Sequence, residues 1–598
     1  MTATLDLWPI GNCQVSALVD RQGRFVWGCT PRVDGDPAFC SLLDDAPPAG
    51  EGAYGFWEID LDGVVETSQS YMRNTPILVT RHTDAAGNAI EVIDFCPRFK
   101  RNGRMYRPVA FARIVRPTAG SPRVRIRLRP ARNWGERMAE HTRGSNHIRY
   151  LVEQDVLRLS TTAPVGWVRD ERMFRVERPL HFFLGPDESF SADIAASLEH
   201  MLEQTIAEWQ YWVRGLATPV EWQEAVIRSA ITLKLCQHEE TGAIVAALTT
   251  SIPEYGGSGR NWDYRFCWIR DAYYTVQALN RLGALDVLES YLEYLRNIVD
   301  NAAGGHIQPL YGVGGEASLI EYEAKALSGY RGMGPVRVGN QAYEQIQHDA
   351  YGQIVLSNVQ AFFDQRLLRV ASVPDFEALE PIGERAWTSY DKPDAGIWEL
   401  RTKSYVHTYS AAMCWAACDR LANAAAALGL TTRAEFWQER ADTMRARIEA
   451  AAWREDTGRL SATFAGDNLD ASLLQLLELR FLAPDDPRFR GTLAALETGL
   501  QRGSYMLRYA TEDDFGLPHT AFNVCTFWLI EALHATGRDE DARMLFEEML
   551  ARRTPAGLLS EDIDPATGEL WGNYPQTYSL VGMINCAVLL SKAWSTIR

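Results

Sequence analysis

Near Ser191 the hydrophobic period of this chain changes. From Leu7 to about Phe190, segments such as ILVTRHTD, AIEVIDFCPRF, VAFARIVRP, PRVRIRLRP and VLRLSTTA alternate apolar and polar residues, with Gly, Pro, Asn or Asp between them. A period of two in short runs with turn residues between them is the pattern of antiparallel strands stacked as a sandwich. After the change, ADIAASLEHMLEQTIAEWQYWVRG reads as one amphipathic helix, and from Trp222 the pattern is almost wholly helical. There, helices apolar on most faces, such as SAAMCWAACDRLANAAAALG, alternate with plainly amphipathic ones, such as TRAEFWQERADTMRARIEAAAW. The first kind is buried and the second covers it, so inner and outer helices in alternation predict an α/α barrel. The expected organisation is an antiparallel β-sandwich over residues 1–190, a helical linker over 191–220 and the barrel over 221–598.

Long inserts interrupt the helical part, among them GAIVAALTTSIPEYGGSGRNWDYRFCW, TSYDKPDAGIWELRTKSYVHT and LLSEDIDPATGELWGNYPQ. Long loops in a compact domain are functional or disordered, and the aromatic content of these argues against disorder. They are expected to gather at one end of the barrel. The stretch Asn261–Tyr274 concentrates the chemistry: Trp262, Tyr264 and Trp268 stand beside Arg270 and Asp271, which open a helix. Aromatic faces cover the C–H surface of a sugar ring, and charged groups bind its hydroxyls in pairs. The competing reading of the same residues is a buried Arg–Asp pair bracing a helix terminus.

The net charge of −17 argues against nucleic acid or an anionic membrane as partner. No run of eighteen apolar residues suggests a membrane span, and the start MTATLDLWPIGNCQ has neither a basic n-region nor an apolar h-region, so a cytoplasmic protein is expected. Ten cysteines without a CxxC pair predict free buried thiols in a reducing compartment and no zinc site. Neither cofactor nor metal is called for, and oligomeric state is left open.

Two carboxylates stand out. Glu399, in GIWELR beside Trp398, has an apolar neighbour that would keep a carboxyl protonated as a general acid, with Arg401 opposing. Glu561, in the turn-rich SEDIDPATGELWGN, is expected to meet solvent and stay ionised as a base. Opposed environments on separate loops over one pocket match glycoside hydrolysis. Glu316, Glu321, Glu323 and Asp513 compete on spacing alone.

The motifs GRNWDYRFCWIRDA, GYRGMGPVRVGNQA, GIWELR, AFNVCTFWLIEAL and LLSEDIDPATGELWGNYPQ together resemble glycoside hydrolase family 15, the family of glucoamylases, glucodextranases and bacterial trehalases. The stretch GNCQVSALVDRQGRFVWGCTPRVDGDPAFCSLLD resembles the β domain of its prokaryotic members. The resemblance implies a β-sandwich followed by an (α/α)6 barrel, and inverting, exo-acting release of β-glucose from short α-linked gluco-oligosaccharides or disaccharides. By motif, Glu399 takes the general-acid position and Glu561 the general-base position, with carboxyl groups about 6.5–9.5 Å apart to admit a water. It also implies that Arg270, Asp271 and Arg508 hold sugar hydroxyls and that Tyr264, Trp268 and Trp398 line the inner subsite.

Two departures bear on substrate. Where many relatives read close to THSKVMCW, this chain has Thr408-Tyr409-Ser410-Ala411-Ala412-Met413-Cys414-Trp415, a helix entry expected to face the outer subsites. GLPHTAF brings in His519, expected to be structural or to touch substrate. Oligosaccharide hydrolysis of the glucoamylase type is the first expectation, trehalose hydrolysis at the same site the alternative, and an inverting phosphorylase a more distant rival.

Overall fold

The alternation of the first third becomes pleat. In the strand Arg123–Arg129 the side chains of Val124, Ile126 and Leu128 are buried and the arginines between them face outward. These arginines are paired rather than merely solvated: Arg125 meets Asp60 at 2.6 Å and Arg127 meets Glu58 at 2.5 Å, each directly across from it on the strand Phe56–Leu61.

The computed structural model describes residues 3–45, 52–152, 155–302 and 304–597. A seven-stranded and an eight-stranded sheet, antiparallel at their pairings, form the amino-terminal part. The larger sheet runs from Glu140–Arg143 at one edge to Val64–Tyr71 at the other. Arg113, on its strand Phe111–Ala119, joins the two sheets. It pairs with Asp94 at 2.7 Å, and its Nη1 donates at 2.9 Å to the carbonyl of Trp57 on the smaller sheet. Both partners of this ion pair are wholly buried.

The helix Ile194–Arg214 starts where Asp193 accepts a hydrogen bond from the Ala196 N–H at 2.8 Å, an N-cap. It does more than connect. Leu198 and Leu202 pack with Ile93 and Ile114 of the larger sheet and with Ile77 just before its strand Leu78–Asp84. Further along, Trp209 and Val213 pack with Ile231 and Leu235 of the first barrel helix, Gln223–Leu235.

Beyond it stands an (α/α)6 barrel. The inner ring comprises the helices Ile269–Arg281, Asp349–Val359, Thr408–Ala427, Asn523–Ala535 and Thr577–Leu590, completed by the short turns of Ala471–Leu474 and Gln475–Glu478. Outer helices such as Leu285–Ala302, Thr431–Ala452 and Asp539–Ala551 bury one face each. Small residues set the spacing of the inner ring. A Cβ on Gly352 would lie 2.3 Å from the Met413 carbonyl, so only glycine lets the helices Asp349–Val359 and Thr408–Ala427 approach so closely.

All ten cysteines are buried and free of disulfides, as expected. Among the described residues no helix is long and apolar enough to cross a membrane.

Candidate active site

The motif around Tyr264 divides its charges between two tasks. Arg265 and Asp263 form a wholly buried pair at 2.7 Å, and Arg265 donates through Nη1 to the Gly35 carbonyl of the β part at 2.8 Å. This half of the motif braces the β part, while Arg270 and Asp271, the pair of the competing reading, stand 3.5 Å apart at the helix start. The other half faces the barrel end, where Tyr264, Trp268, Arg270 and Asp271 all line one pocket.

The pocket is lined by both aromatic and charged side chains. Its walls come from several inserts, Glu254–Trp268, Asn340–Gln345, Ile397–Arg401 and Arg508–Phe515, with Gln576 from LLSEDIDPATGELWGNYPQ and Tyr578 from the helix Thr577–Leu590. Trp398, Glu399 and Arg508 are among the lining residues, so seven of the eight residues singled out from sequence meet here. The eighth, Glu561, lies directly behind the wall: the Tyr264 hydroxyl donates to its Oε1 at 2.6 Å.

Glu399 sits on a strained turn, with a left-handed backbone at φ 61°. Its Oε1 accepts from Trp268 Nε1 at 2.6 Å, Arg270 Nη2 at 3.1 Å and Gln347 Nε2 at 3.4 Å. Among the described residues Oε2 accepts no hydrogen bond, and the side chain keeps 21% exposure. Arg401, two positions on in the chain, is engaged elsewhere. That guanidinium pairs with Glu321 at 2.9 Å and lies 4.3 Å from the Trp262 ring centroid. Trp398, instead of shielding Glu399, donates through Nε1 to Asp470 Oδ2 at 2.7 Å and packs against Phe522.

Tyr264 and Trp268 pack edge to face with centroids 5.4 Å apart. Glu561 is hydrogen-bonded to one ring of this pair and Glu399 to the other. The two carboxylates therefore stand at opposite ends of one aromatic unit in the pocket wall.

Glu561 departs from expectation in one respect. It is 1% exposed, not solvated. The loop turns it inward because Asn523 N–H donates to its carbonyl at 2.9 Å and its own N–H donates to the Asn573 carbonyl at 3.2 Å. Burial first, then the carboxylates of Asp562 and Glu254, hold its carboxyl well above the usual carboxylate range, against the pull of the Tyr264 hydrogen bond and Arg508. Asp271 is likewise pushed up to about 7 by burial, with Arg270 opposing.

Sequence reasoning missed Glu254. It pairs with Arg508 and accepts from Trp262 Nε1 at 3.1 Å, while Arg260 joins it at 3.8 Å and Asp513 at 2.6 Å. Arg508 reaches the pocket held by this network. Of the competing carboxylates, Glu316 pairs with Arg32, Glu321 with Arg401, and Asp513 with Arg260, while Glu323 is exposed away from the lining. Tyr409 is not at the outer subsites: it is buried, with its hydroxyl 2.9 Å from that of Tyr274 in the barrel interior. His519 is exposed, packs edge to face on Tyr255 and is not among the lining residues.

The sequence profile of glycosyl hydrolases family 15 matches residues 221–588. The chain belongs to that family. Its family 15 relatives include a trehalase of Mycolicibacterium smegmatis, 31% identical over 98% of this chain and 90% of the relative. A trehalase of Thermoplasma volcanium is 29% identical over 98% of this chain and 93% of the relative. Among solved structures, a bacterial glucoamylase complexed with acarbose superposes with a TM-score of 0.70 over 98% of this chain and 94% of its own, at 14% identity. The similarity of fold thus extends through both the sandwich and the barrel. This family 15 member is a glycoside hydrolase.

Proposed function

We propose that the enzyme hydrolyses α,α-trehalose with inversion, Glu399 serving as general acid and Glu561 as general base. The observation that carries the catalytic assignment is the pairing of both carboxylates with one aromatic unit of the pocket wall, Glu399 through Trp268 and Glu561 through Tyr264. Similarity to trehalases along nearly the whole chain supports the substrate, in preference to the oligosaccharides of the first expectation.

The chemistry follows from the donors. With Oε1 of Glu399 occupied by three N–H groups, the acid's proton belongs on Oε2, which passes it to the glycosidic oxygen as the bond breaks. Glu561 removes a proton from the water that attacks the anomeric carbon from the opposite face. Arg270, Asp271 and Arg508 bind the hydroxyls of the reacting glucose, and Tyr264, Trp268 and Trp398 cover its faces. Trehalose joins two α anomeric carbons. Attack on one yields β-glucose and releases the other sugar as α-glucose.

A panel of trehalose, maltose, maltotriose and isomaltose tests the substrate. Trehalose should exceed the others in kcat/KM by roughly a hundredfold. Preference for maltotriose would return the reading to a glucoamylase, and glucose 1-phosphate formed in added phosphate would make the enzyme a phosphorylase.

A further inference from the structure

A general base must be ionised to act, yet Glu561 lies in a buried site among other carboxylates. The cations nearby are already committed. Arg508 is paired with Glu254, and Arg260 with Asp513 at 2.6 Å and Glu254 at 3.8 Å. Asp562, next in the chain, is also 1% exposed. Glu561 Oε2 and Asp562 Oδ2 are both buried and, among the described residues, both lack a hydrogen-bond partner. Both border the same glycine. A Cβ on Gly572 would lie 2.7 Å from Glu561 Oε2 and 3.3 Å from Asp562 Oδ2. Gly572, at φ 76°, has no side chain to fill the space that both oxygens border.

Two buried carboxyls bordering one glycine, near guanidiniums that are already paired with Glu254 and Asp513, are costly to ionise together. A single proton between them satisfies both orphaned oxygens and leaves one anion. We propose that Asp562 is a positioning residue: its carboxyl is protonated and donates through Oδ2 to Glu561 Oε2, so that the pair holds one negative charge, on Glu561. This rests on the reading of Glu561 as the base. With Tyr264 donating to Oε1 and Asp562 to Oε2, two hydrogen bonds add to the pull of Arg508 in keeping Glu561 ionised. Burial first, and then Glu254, raise the Asp562 carboxyl well above its ordinary range, with Arg508, Thr520 and Arg260 opposing, which agrees with a neutral Asp562. A carboxylic acid kept neutral by its site so that it can donate is an established catalytic device.

The test compares the acid limb of the kcat/KM profile in wild type, Asp562→Asn and Asp562→Leu. The Asn amide can donate as the protonated acid does, so Asp562→Asn should keep the acid limb within about half a unit. Leucine removes the donor and should raise the limb by about one unit or more. An ionised Asp562 would repel Glu561, and its replacement by Asn would then lower the limb by about a unit or more, which overturns the proposal. Infrared difference spectra of wild type against Asp562→Asn at neutral pH give a readout that needs no turnover. A protonated-carboxyl C=O band lost in the variant supports the shared proton; loss of a carboxylate band instead refutes it. This arm judges the proton even if trehalose is not the substrate.

Discussion

Replacing Tyr264 by Phe removes one oxygen atom from the pocket wall and nothing from its shape. The lost group is the donor of the 2.6 Å hydrogen bond to Glu561 Oε1. Burial, and then the nearby Glu561, hold the Tyr264 phenol well above its ordinary range, so it remains a donor throughout the working pH. A hydrogen bond to a charged group is worth ~1.5–3 kcal/mol. One pKa unit corresponds to ~1.4 kcal/mol, so losing that bond should raise the Glu561 pKa by ~1–2 units. The direction is fixed because the phenol favours the ionised carboxylate, and its loss favours the protonated form. The acid limb of kcat/KM for trehalose should therefore move to higher pH by that amount, with ~10–100-fold less activity below the limb and a smaller change on the plateau. A pH series from steady-state glucose release measures it. An unmoved acid limb in a correctly folded variant would refute the role given to the Tyr264–Glu561 bond.

Two further perturbations separate the catalytic role from the fold. Glu399→Gln keeps an acceptor for Trp268 and Arg270, so thermal unfolding should be nearly unchanged while kcat on trehalose falls by ~10²–10⁴; the loss should be much smaller on α-glucosyl fluoride, whose leaving group needs little protonation. Away from the pocket, Asp394 is buried and its carboxyl is pushed from 3.8 up to about 8, by burial and then by Asp349. Its folded value lies above its unfolded one, so the stability it contributes is present below about 3.8 and is lost as pH rises through about 8. Asp394→Asn should flatten the dependence of the unfolding midpoint on pH across that window, and an unchanged slope would contradict the assignment.

The fold was legible because both of its periods are long and regular. The alternation in Arg123–Arg129 and the near-continuous burial of Thr408–Ala427 each follow from side-chain spacing alone. Site membership was legible for residues packed densely in one motif: Tyr264, Trp268, Arg270 and Asp271 stay together because one turn and one helix start carry them. Environment was not legible. Arg401 follows Glu399 by two positions, yet it stacks on Trp262 and pairs with Glu321, because the left-handed backbone at Glu399 redirects the chain. The turn-rich loop around Glu561 suggested solvent, and the backbone hydrogen bonds that draw it inward come from Asn573 at the far end of the same loop and from Asn523 on another segment. Glu254 carries no local signal, since its importance comes from Arg508, more than two hundred residues away.

The anomers released from trehalose before mutarotation test the central claim most directly. Followed by proton NMR from the first seconds of reaction, a water activated by Glu561 opposite the proton of Glu399 should give α- and β-glucose in equal amounts. Only the α anomer at the earliest times would mean retention, and the two carboxylates would not then have the roles given to them.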